Sequence, residues 1–150
     1  MFRVRVALLG PLIAAATLAI VPLPALGQGL STDQVYFVAN CEQESFRPRT
    51  IIVTCADQNF TIRSIAWSDW TTSGATGRGT ARVNDCQPNC ATGRFRSYRG
   101  VTVNLSRPVV CSEDGLREFS ELTYRFGSRR PQGFRKRGTQ LSRCPTQGGR

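Results

Sequence analysis

Histidine is absent from the 150 residues, and lysine occurs once, as Lys136. Without histidine, Ser-His-Asp and Cys-His catalytic arrangements are removed, together with most transition-metal sites. Neither a G-x-S-x-G elbow nor a phosphate-binding glycine loop is present. No segment keeps a 3.6-residue apolar period over three turns, which argues against amphipathic helices. Beyond Val21 no apolar run is long enough to cross a bilayer. There is no C-x-x-C pair either; Cys86 and Cys90, the closest two cysteines, stand in a C-x3-C spacing. That spacing, set among turn formers, fits neither a zinc clip nor a redox pair at a helix start.

What is present begins with an exported chain. Arg3 and Arg5 precede an apolar stretch from Val6 to Val21, and small residues close the segment at Ala25-Leu26-Gly27. This is the three-part pattern of a secretory signal peptide, with cleavage expected after Gly27. Residues 28–126 then read as one domain and 127–150 as a basic tail rich in Gly, Pro and Arg. Export changes the meaning of the six cysteines: Cys41, Cys55, Cys86, Cys90, Cys111 and Cys144 imply three disulfides rather than a metal site. Spacing leaves the pairing open. The leading expectation is Cys41–Cys144, Cys55–Cys111 and Cys86–Cys90, the last stapling the loop NDCQPNCATG.

Charge is unevenly placed. The 20 basic residues outnumber the 10 acidic ones. From Leu30 to Glu121 the two signs balance, whereas the chain from Leu122 onward carries seven Arg and one Lys with no acid. A tail of this composition is expected to be extended, tethered by Cys144. It offers Arg129, Arg130, Arg135, Lys136 and Arg137 to an anionic partner, either an envelope polymer or an extracellular protein.

The middle of the chain reads as short strands between turns: 35–38, 50–55, 60–67, 80–83, 95–98, 101–105 and 118–126. A hairpin turn is expected at Asp57-Gln58-Asn59, a Gly-rich turn from Gly74 to Gly79, a turn at Arg99-Gly100, and a helical turn from Ser112 to Glu118. Frequent turns and short strands predict an all-β fold, a small antiparallel sandwich or barrel stapled by disulfides.

Two sets of residues could carry function within that fold. Trp67 and Trp70 lie three apart, so a regular strand would put them on opposite faces, one in the core and one free to stack on a ligand. Asp57, Asp69 and Asp85 are the alternative: two of them facing one cleft would make a small carboxylate-dependent hydrolase of extracellular polysaccharide. Against this, Asp in turns more often bonds its own backbone. The preferred expectation is a non-catalytic binding module that needs no cofactor and no metal.

The segments CADQNF, ATGRGTARVNDCQPNCATGRF, YRGVTVNLSRP and LTYRF resemble a group of small secreted proteins of actinobacteria. The motif Asn-Asp-Cys-x-Pro-x-Cys-Ala-x-Gly over residues 84–93 is its specific part, and the resemblance runs from about Arg47 to Pro131. Arg99-Gly100 stands where Tyr-Pro is expected. The resemblance implies export and a shared fold, and brings no catalytic residue.

Overall fold

The computed structural model describes residues 34–111 and 115–141. The leader expected at 1–27, Cys144 and the side chain of Cys111 lie outside the described residues.

Among the described residues eight strands make one sheet: β1 (Val35–Val38), β2 (Glu44–Ser45), β3 (Thr50–Ile52), β4 (Phe60–Trp70), β5 (Ala75–Asn84), β6 (Phe95–Cys111), β7 (Leu116–Arg125) and β8 (Arg137–Leu141). Their order is β2-β1-β7-β6-β5-β4-β3, with β8 also on β7. All pairs are antiparallel except β1 on β7. A 2.8 Å bond from the Ile52 N–H to the carbonyl of Ala39, just past β1, brings β3 at one end of this order onto β1 near the other, so the sheet curls back on itself. Inside the curl, Val35, Phe37, Ile51, Ile62, Val83, Val103, Leu105, Phe119, Leu122 and Phe126 form a single apolar core. The all-β reading therefore holds.

Several strands run further than their sequence signals. Gly77 and Gly79 lie inside β5, not in a turn. A Cβ at Gly77 would stand 2.8 Å from Trp67 Cε3, and one at Gly79 2.8 Å from the Arg63 carbonyl, so these glycines give room to neighbours across the ladder. Arg99-Gly100 does not turn either: β6 runs unbroken through it. The register slips between Gly79 and Thr80 on β5, and Gly100 takes a φ of +73°. That is a bulge, a bend without reversal. The apolar run 50–55 is shorter in fact, because β3 ends at Ile52 and Thr54 accepts a backbone bond from Gln58, 2.9 Å. Leu116 to Glu118 belong to β7 rather than to a helical turn.

The basic C-terminal segment is partly built into the domain. β8 pairs with β7 from Arg125↔Arg137 to Glu121↔Leu141. Ahead of it Phe134 packs at 5.8 Å from the Phe60 ring and 6.1 Å from that of Phe126. Sequence reading missed this because one aromatic amid arginine, glycine and proline resembles a solvated tail.

The disulfides differ from expectation. Cys86–Cys90 forms as expected, but Cys41 joins Cys55, which replaces both Cys41–Cys144 and Cys55–Cys111. The Ile52-to-Ala39 bond that brings β3 onto the end of β1 sets the two sulfurs together. Cleaving the oxidised protein between Cys41 and Cys55 should give one mixed peptide that splits on reduction. Replacing both residues by alanine should lower stability by about 3 kcal/mol, the loop-closure value for a ~15-residue loop, as read by urea denaturation.

Candidate functional site

The motif over residues 84–93 connects β5 to β6, and its residues hold the loop together. Asn84 is buried. Its Nδ2 donates to Asn59 Oδ1 at 3.0 Å and to the Cys90 carbonyl at 2.8 Å, while its Oδ1 accepts from the Cys86 N–H at 3.0 Å. Asp85 Oδ1 accepts from the N–H groups of Arg94 at 2.8 Å and Gln87 at 3.3 Å, and Oδ2 accepts from Arg96 Nε at 3.2 Å. A Cβ on Gly93 would collide with Asn84 Oδ1 and stand 2.8 Å from the Cys86 nitrogen. The motif is thus a scaffold that fixes where β6 begins. Asn84→Ala leaves two acceptors and one donor unpaired in a part-buried setting and should cost about 1–3 kcal/mol in a denaturant titration.

Beside this loop lies a cleft of ≈ 600 Å³, lined by Arg96, Ser97 and Tyr98 of β6 and by Gly127, Ser128, Arg129, Arg130 and Lys136. A smaller hollow continues it past Arg99. A second cleft of ≈ 680 Å³ shares Arg96 and Tyr98 and runs on toward Gln132 and Phe134. The segment after β7 forms the far wall. It is held there by Phe134 on the core, by buried Pro131, and by the Phe126 N–H donating to the Lys136 carbonyl at 2.9 Å. Tyr98 leans on Phe126 with ring centroids 6.0 Å apart and forms the floor.

The wall is cationic. Arg96 is engaged by Asp85, an exposed pair of small energetic weight. Among the described residues, Arg99, Arg129, Arg130 and Lys136 make no ion pair. Of the cations expected from the tail, the structure therefore gathers Arg129, Arg130 and Lys136 at one cleft. It leaves Arg135 and Arg137 outside. Sequence reading missed Arg96 and Arg99, because these lie in the charge-balanced segment and only the fold sets them against the tail.

Trp67 and Trp70 are not part of this site. The register of β4 slips between Trp67 and Asp69, which breaks the alternation and brings the two rings together edge to face at 4.7 Å. Both are half-buried against the core. Trp67 Nε1 donates to the Pro48 carbonyl at 2.8 Å and Trp70 Nε1 to that of Val35 at 3.0 Å. Across the ladder Trp70 aligns with Ala75 and so with Leu105, nine residues along β6 from Arg96, or roughly 30 Å.

The three aspartates divide between the two ends of the sheet. Asp69 sits at the Trp70 end of β4, whereas Asp57 and Asp85 lie at the Phe60 end. The Asp57 carboxyl is held below its ordinary 3.8 chiefly by the Asn59 N–H, and that of Asp85 chiefly by the Arg94 N–H. A general acid for glycoside cleavage needs the opposite shift. Lowered carboxyls stabilise the fold above the ordinary value, and this is lost as pH falls below 3.8 and through the folded values. Thermal melts should therefore show a drop beginning below about pH 4, and Asp85→Asn should make that drop shallower.

Among the described residues no helix is long and apolar enough to cross a membrane. No protein-family model, no curated protein and no solved structure matches the chain.

Proposed function

We propose that this is a secreted, non-catalytic binding module that engages an anionic extracellular or envelope-associated partner at the cleft between β6 and the 127–136 segment. The observation that carries this reading is the convergence of Arg99, Arg129, Arg130 and Lys136, all without an ion-pair partner among the described residues, on one concave surface with Tyr98 as its floor. Unpaired cations in a concave site concentrate field and counter-ions there, which favours a polyanion over a neutral ligand. The expected export signal and the disulfides support an oxidising compartment for such a module. Two carboxylates bound to backbone N–H groups, with the third at the other end of the sheet, give the hydrolase reading less support.

The experiment is a titration of labelled poly-L-glutamate and polyphosphate with the oxidised mature chain, followed by anisotropy over a range of salt. Binding should weaken steeply with salt. A slope of log K against log salt on the order of −3 is expected, at about 0.7 per neutralised charge over four free cations. A salt-independent signal, or none in low salt, would remove this reading.

A further inference from the structure

β6 is longer than its partner on the cleft side. It pairs with β5 along its whole first half, from Asn84↔Phe95 to Thr80↔Arg99. On its other edge β7 joins only from Thr102↔Arg125 onward. Past that point Phe126 turns its N–H to Lys136, and Gly127 passes so close to β6 that a Cβ there would lie 3.2 Å from the Gly100 carbonyl and 3.3 Å from that of Arg99. The chain then peels away. Among the described residues no backbone hydrogen bond joins 95–99 to the 127–136 segment. In an antiparallel ladder alternate residues direct their N–H and C=O groups to opposite neighbours. About half of those between Phe95 and Tyr98 therefore face the wedge where β7 has left.

The lining of the cleft shows that it lies along this edge. Arg96, Ser97, Tyr98 and Arg99 all contribute to it. Consecutive strand residues point to opposite faces, so a hollow lined by both alternations sits at the rim of the strand. The open stretch, Phe95 to Tyr98, is four residues long, about 13 Å, and matches a short strand in length. Its surroundings are basic on both sides.

We infer that the anionic partner is an acidic polypeptide segment that binds in extended form, adding a strand to the open edge of β6 between residues 95 and 98. Its carboxylates lie against Arg99, Arg129, Arg130 and Lys136. Main-chain bonds supply the affinity and the cations choose the sequence, as in other cases of strand addition. A second copy of this chain is disfavoured, since its own edge would bring arginine against arginine; charge on an edge is a known guard against self-pairing. The inference rests on the anionic-partner reading above.

The test varies the ligand, so folding is untouched. Three labelled probes of equal charge are titrated against the oxidised mature chain in low salt: an alternating Glu-Thr peptide, the same peptide methylated at every amide nitrogen, and polyphosphate. The unmethylated peptide should bind at least 10-fold more tightly than its methylated form. It should also slow hydrogen exchange at amides within 95–98, which polyphosphate should not do. Equal binding of both peptides, or no protection at 95–98, overturns strand addition while leaving the charged cleft standing. No binding of any probe removes both readings.

Discussion

Arg129→Ala, Arg130→Ala and Lys136→Ala combined are expected to weaken polyglutamate binding by about 100-fold, at roughly 1 kcal/mol for each cation facing a polyanion. The matched control is Arg125→Ala with Arg135→Ala and Arg137→Ala. It removes the same three charges from the same part of the chain, but from positions that do not line the cleft. That control should lose clearly less than the cleft triple, because its charges do not line the cleft and exposed charges are screened by salt. Equal losses from the two triples would mean that net charge alone drives binding. The affected residues are exposed, so both variants should melt close to the parent, which circular dichroism will check.

Phe126→Ala should destabilise the protein by about 3–5 kcal/mol, the usual range for deleting a fully buried aromatic ring. Phe126 is 1% exposed. Its ring meets those of Phe60 at 6.0 Å, Tyr98 at 6.0 Å, Tyr124 at 5.8 Å and Phe134 at 6.1 Å. It thus ties β4, β6 and β7 to the segment carrying Arg129, Arg130 and Lys136. Against a total stability typically of 5–15 kcal/mol, such a loss leaves little margin. Phe134→Ala removes a half-buried ring at the edge of the same cluster and should cost less. It should still weaken anion binding, because it frees the cationic wall without breaking the sheet. Urea denaturation of both variants, with polyglutamate titration of Phe134→Ala, separates the two effects.

The glycines and the basic segment show where local reading fails. Gly77 and Gly79 carry a turn signal by composition, yet their places in β5 are set by Trp67 and Ile65 on the neighbouring strand. Arg99-Gly100 looks like a reversal and is a bulge, since the ladder with β5 resumes on both sides. Trp67 and Trp70 follow the alternation rule until a register slip, which depends on strand pairing, sets them side by side. In each case a contact distant in sequence overrides a preference that is local.

By itself the sequence determined the all-β class and the exclusion of histidine-based chemistry. Residue type and period decide these directly. Export is an expectation of the same kind, carried by residues 1–27. The Cys41–Cys55 bridge was a matter for the tertiary structure, because sulfur pairing follows which loops meet. So was the cleft: Arg99 and Tyr98 come from a charge-balanced stretch, and Arg129, Arg130 and Lys136 from what reads as a tail. They converge only because β7 leaves β6 at Phe126 and the chain returns through Phe134 to add β8. A site made by divergence of two strands leaves no local pattern, since the open edge is defined by a partner that is missing over residues 95–98.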